Sequence, residues 1–147
     1  LLNHVGNWRV ECTYFMDPSH PPFEVVASET IEMVGHFWSQ SRFKADMGEF
    51  VLEGSATMGF DPDKGKWVST WIDNANPTLF HFEGDLDEDA GVLEMVGRGP
   101  SPVDEEETNY RTVEKAIDQN TRTLDMYVTL PTGDELQMFS YTYHRED

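Results

Sequence analysis

Apolar and polar residues alternate along almost the whole chain, and clusters of Gly, Pro, Asn and Asp interrupt the alternation at short intervals. Period-two patterning of this kind puts successive side chains on opposite faces of a strand, whereas the i, i+3, i+4 spacing of a helix is hard to find. Candidate strands are "NWRVECTYFM" (7 to 16), "FEVVASETIEMV" (23 to 34), "HFWSQSRFKA" (36 to 45), "EFVLEGSATMGF" (49 to 60) and "KWVSTWID" (66 to 73). They continue with "TLFHFEGDL" (78 to 86), "VLEMVGRG" (92 to 99), "TNYRTVEKAI" (108 to 117), "RTLDMYVTL" (122 to 130) and "ELQMFSYTYHR" (135 to 145). Short links such as "DPDKG", "DQNT" and "PTGD" suit hairpins, because Gly, Asn and Asp accept a positive φ.

About ten consecutive antiparallel strands leave two unpaired edges unless the sheet closes on itself. The fold expected is therefore all-β: one closed or nearly closed antiparallel up-and-down barrel of about ten strands. With 147 residues there is room for a single domain, 1–147, and no linker or internal repeat marks a second. Phe50, Leu52, Gly54, Ala56, Met58 and Phe60 share one face of their strand and are expected to point inward. Phe80 with Phe82, and Leu124 with Met126, Val128 and Leu130, repeat the pattern. Barrels of this strand number hold side chains plus space for one small molecule.

Charge narrows the partners. Lys and Arg number 10 against 28 Asp and Glu, a formal charge of -18 that repels nucleic-acid phosphates and anionic membrane surfaces. The acidic stretches "EGDLDEDAG" (83 to 91) and "SPVDEEET" (101 to 108) contain Gly or Pro and read as solvated loops. Cys12 is the sole cysteine, so neither an internal disulfide nor a zinc thiolate cage can form. No apolar run is long enough to suggest a membrane helix and no signal-like segment opens the chain, which makes a cytoplasmic address the expectation.

Metal and nucleophile motifs fail at identifiable positions. Asp85, Asp87 and Asp89 have calcium-loop spacing, but Ala90 stands where the sharp-turn Gly belongs and Val96 where a bidentate Glu is needed. In "DPDKGK", Gly65 occupies a ligand position. The histidines at 4, 20, 36, 81 and 144 have no paired spacing for a metal. No Gly-x-Ser-x-Gly elbow or phosphate loop is present, and Cys12 shares a face with Trp8, Val10 and Tyr14 as a small core residue would. No metal, no cofactor and no catalytic residue is assigned from these motifs, and the balance is against an enzyme.

Polar residues on apolar faces carry the functional expectation. Arg111 alternates with Asn109 and Val113, so an inward Val113 would bring the guanidinium inward too, where it requires a carboxylate such as Glu29 or Asp73, or an anionic ligand. Trp71 shares a face with Trp67, Ser69 and Asp73, and Tyr141 with Phe139, Tyr143 and Arg145; such aromatic faces pack cores and also wall ligand pockets. The expected function is a binding barrel for a small, mostly apolar ligand, anionic if Arg111 anchors it. Its expected ligand-binding residues are Arg111, Trp71, Asp73, Phe80, Phe82, Met126 and Tyr141. Two alternatives stand beside it: an enzyme using Asp73, Glu83 or His81 as acid and base, and an assembly protein forming a homodimer through Trp38 and Tyr127.

The segments "GNW" (6 to 8), "GFDPDKGKWVSTWIDN" (59 to 74), "RTV" (111 to 113) and "MFSYTYHR" (138 to 145) together resemble the family catalogued as domain of unknown function 1579. The resemblance covers nearly the whole chain and implies a calycin-type barrel, like lipocalins, fatty-acid-binding proteins and nitrobindins, with Gly6-x-Trp8 packed across one end. The chain lacks the longer helical lead-in common in that family. His144 resembles the haem ligand of nitrobindin-like barrels without the rest of that motif, and Tyr143 and Arg145 resemble the carboxylate-binding pair of fatty-acid carriers in reversed order.

Overall fold

A computed structural model describes residues 1–15 and 19–146; the end of the first expected strand, Met16, lies outside them. A short 3-10 turn (Leu2–His4) precedes ten strands: β1 (Gly6–Tyr14), β2 (Phe23–Val34), β3 (Trp38–Asp46), β4 (Val51–Asp61), β5 (Lys66–Asp73), β6 (Asn76–Asp87), β7 (Val92–Pro100), β8 (Glu107–Asp118), β9 (Thr121–Thr129) and β10 (Glu135–Arg145). Every strand pairs antiparallel with its sequence neighbours, and β10 returns to pair with β1 from Trp8↔Arg145 to Tyr14↔Phe139. Closure satisfies the ladder hydrogen bonds of both outermost strands and leaves no free edge.

Up-and-down order sorts the connections to two ends. The β1–β2, β3–β4, β5–β6, β7–β8 and β9–β10 links lie at one end, here the mouth; the 3-10 turn, the remaining links and the end of β10 lie at the other, the floor. Two floor turns share one design. The Asp61 side chain accepts from the Asp63 and Lys64 amides while Gly65 N–H donates to Asp61 O at 2.8 Å. Asp87 does the same for Asp89 and Ala90, with Gly91 N–H donating to Asp87 O. Gly65 and Gly91 have φ of 65° and 68°, a left-handed conformation costly for side-chain-bearing residues. The calcium-like spacing of both stretches is thus the spacing of an Asp-capped turn.

Strand alternation places Trp8, Val10, Cys12, Ala27, Ile31, Phe43 and Tyr141 in one buried cluster and Phe82, Leu93, Met95, Tyr110 and Val128 in another. Val10 and Val128 are fully buried, and each such side chain contributes about 1.5–3 kcal/mol. The inward face of β4 carries Leu52, Ala56 and Met58 as expected, but Phe50 and Phe60 stay about half-exposed because they sit at the barrel rims. Phe60 instead packs edge-on against Trp67. The two clusters do not merge, because a cavity separates them.

Candidate functional site

The cavity has a volume of about 480 Å³ and is lined by residues of all ten strands, β1 contributing only Tyr14 at its mouth end. Its upper and middle walls are apolar: Phe43, Phe80, Phe82 and Trp71, with Met58, Met95, Met126 and Met138 between them. Thioethers are flexible and polarizable, so a wall of this composition adapts to more than one ligand outline. Ser39, Ser41, Ser69 and Thr112 put hydroxyls on the same surface. Gly54 on β4 lets the Trp71 ring lie flat against the wall; a Cβ there would fall 2.2 Å from the indole. Trp71 Nε1 donates to Asp73 at 2.8 Å, while the other oxygen of Asp73 caps the β5–β6 turn by accepting from Ala75 N–H.

Six of the seven residues expected to bind a ligand therefore line one space: Trp71, Asp73, Phe80, Phe82, Met126 and Tyr141. Arg111 does not. On β8 the inward residues are Tyr110, Thr112 and Glu114, so Asn109, Arg111 and Val113 face outward. Arg111 forms a two-pronged ion pair with Glu135, both contacts at 2.9 Å, and lies over the Tyr127 ring. Val113 is apolar but sits on the outer wall, which is why it misled the assignment of the face.

The inward cation is Arg122, one step below Leu124 on the same face of β9, and it is 5% exposed. Its Nη2 reaches Glu29 at 3.4 Å and its Nε lies 3.8 Å from Glu114. The guanidinium sits 3.9 Å from the Tyr143 ring centroid and 4.4 Å from that of Trp8. Glu114 also contacts His4 at 3.0 Å. Burial pushes the Glu29 carboxyl up to about 7, because the nearby Arg122 charge only partly offsets the loss of water and Glu114 adds repulsion. Burial acts on Glu114 in the same sense, but His4 and Arg122 outweigh it and hold that carboxyl below its ordinary value.

These side chains form the cavity floor. Below it lies a second space of about 480 Å³, which shares His4, Met58, Glu114 and Arg122 with the first. Trp8 seals the partition: its Nε1 donates to His4 O, and Arg145 lies over its ring at 4.3 Å while donating to Val5 O and Asn3 O. Gly6-x-Trp8 thus packs across one barrel end. At the mouth, Tyr14 and Tyr141 share a 2.6 Å hydroxyl contact, and Pro100, Ser101 and Pro102 border the opening.

Residues named for other roles sit elsewhere. His81 and Glu83 alternate with the inward Phe80 and Phe82 and so face outward; Glu83 pairs with Lys64. His144 faces outward and pairs with Glu11. Trp38 lies outside across Gly59, and Tyr127 lies beneath Arg111. Among the described residues, no group of three His, Cys, Asp or Glu is placed to hold a metal ion, and no helix is long and apolar enough to cross a membrane.

A family model described as a protein of unknown function (DUF1579) matches residues 1–145. No curated protein matches the chain. Among solved structures, the crystal structure of Rv2717c from M. tuberculosis superposes with a TM-score of 0.73 at 13% identity, covering 99% of this chain and 94% of that one. The S-type phycobiliprotein lyase CPES from Guillardia theta superposes with a TM-score of 0.64, also at 13% identity, covering 99% and 90%. At this identity the likeness is one of fold.

Proposed function

This chain belongs to the DUF1579 family of proteins of unknown function, and we propose that it is a binding barrel, a single domain over residues 1–147, for one small and mostly apolar molecule. The observation that carries this reading is the cavity of about 480 Å³, open at the mouth and walled by Trp71, Phe80, Phe82, Met126 and Tyr141, within the range of small-molecule sites. Asp73 orients Trp71 at the mouth end of that wall. The same fold in a phycobiliprotein lyase is consistent with a small-molecule role, without naming this chain's ligand. The anchoring role expected of Arg111 falls away with its outward position. The acid-base alternative loses His81 and Glu83 for the same reason. The lone Cys12, raised to about 12 by burial and so unreactive, suits a cytoplasmic binding protein.

Native mass spectrometry of freshly purified protein tests the reading, together with titration of the tryptophan fluorescence by small apolar compounds, the Trp71 contribution being identified with Trp71→Phe. A retained or added molecule that is lost in Met126→Trp, a substitution that fills the cavity, is the expected result. Equal binding by that variant would place the molecule outside the barrel and overturn the reading.

A further inference from the structure

We propose that the ligand of this barrel carries a cationic nitrogen, a protonated amine on an apolar body, and that the amine pairs with Glu29 at the cavity floor. The inference rests on the binding-barrel reading and adds the chemistry of the ligand's polar end.

Glu29 is 7% exposed and points into the cavity. One of its oxygens accepts a single long contact from Arg122; the other has no protein partner among the described residues. Arg122 cannot serve both carboxylates well, because it is shared with Glu114. The floor therefore holds two carboxylates against one permanent cation, and the acceptor that remains open belongs to Glu29. The remaining Arg122 nitrogens, Nε and Nη1, lack hydrogen-bond partners but are sealed from solvent, so an incoming anion has no access to them. A buried carboxylate with an open oxygen gains most from a charged donor delivered into the same low-dielectric space. Phe43 is its cross-strand partner and Tyr143 lies close enough to feel its charge, and aromatic rings are surfaces that favour a cation over an anion.

Entry favours the same sign. The described mouth links carry Glu49, Asp104, Glu105, Glu106 and Asp134 and no Lys or Arg, and Asp46 and Asp73 end strands beside them, on a chain of net charge -18; Glu135, also at this end, is paired with Arg111. Such a rim concentrates cations and repels carboxylate- or phosphate-bearing molecules.

The probes are octylamine, octanoate and octanol, titrated by calorimetry into the full chain at neutral pH. Octylamine is expected to bind at least about tenfold more tightly than octanol, as a charge-assisted hydrogen bond in a buried site provides, with octanoate weakest. Glu29→Gln should abolish the amine's advantage over octanol, read as the ratio of the two affinities within the same variant, which separates a floor contact from general attraction to an acidic protein. The unmodified protein gives an independent readout. From pH about 6 to about 8 an alkylammonium keeps its proton, so octylamine should bind more tightly as Glu29 ionises while octanol stays flat. The groups facing Glu29 in that titration are Arg122 on β9, Glu114 on β8, Tyr143 on β10, Cys12 on β1 and His4 on the 3-10 turn. Octanoate binding as tightly as octylamine, a flat pH profile for the amine, or an undiminished amine preference in Glu29→Gln overturns the proposal while leaving a binding barrel. Failure of all three probes, octanol included, removes both readings.

Discussion

Arg111 and Arg122 lie on adjacent strands with the same equipment around them, and they behave oppositely. Each guanidinium covers a tyrosine ring, Tyr127 for Arg111 and Tyr143 for Arg122, and each faces two carboxylates, Glu135 with Glu94 and Glu29 with Glu114. The hydrogen bond from Arg111 lowers the Glu135 carboxyl from its ordinary value, whereas Glu29 is raised despite its arginine. Water makes the difference. On the outer wall it solvates whatever the ion pair leaves unsatisfied; inside, nothing does, and the shortage of partners stays written into the carboxylate.

The sharpest way to break this contrast is to remove the inner arginine. Arg122→Leu leaves Glu29 and Glu114 facing each other without their shared cation and is expected to cost about 3–5 kcal/mol in urea unfolding. A loss under 1 kcal/mol would mean that water already reaches the floor. The next effect is one of pH. The Glu29 carboxyl stands near 7 when folded against 4.5 for its ordinary value, so between those values the folded state holds a proton that the unfolded state has released. Stability therefore falls as pH rises through that window, by an amount on the order of 3 kcal/mol, and Glu29→Gln flattens the slope. Glu114 works in the other direction, its contribution being lost as pH drops below the ordinary carboxylate range. Smallest is the outer counterpart: Arg111→Ala is expected to change unfolding free energy by less than about 1 kcal/mol, and that little should vanish in high salt.

Strand positions were legible because period-two alternation and Asp–Gly turns are local signals. Three of the ten expected strands, 23–34, 66–73 and 135–145, coincide with those observed, and the others differ by one or two residues at their ends. What alternation did not supply was which face of a mixed strand is inside. In β8 the polar-looking set Tyr110, Thr112 and Glu114 lines the cavity, and the set with Val113 is outside. The rule that apolar means inward fails where the interior is a cavity with a charged floor. Arg122 was within reach of the same reasoning, since extending the Leu124, Met126, Val128 face by one step lands on it. Glu29 was anticipated as the partner of an inward arginine, and it is one, though of Arg122. Its raised carboxyl could not be read from sequence, because it depends on burial inside the closed barrel and on Arg122 and Glu114 being brought to it from two other strands.

The β1–β10 seam has a kinetic corollary. Contacts such as Trp8↔Arg145 and Tyr14↔Phe139 join the two extremes of the chain, so the ring can close only after the last strand has formed. Chains whose decisive pairings are this distant in sequence collapse late and slowly. During synthesis β1 must wait, unpaired on one side, until β10 has left the ribosome. A circular permutant opened in the β9–β10 link at the mouth, with the old ends joined beneath the floor, would turn that seam into a neighbouring hairpin and pass the end-to-end closure to β9 and β10, so it should reach the same barrel at a similar rate.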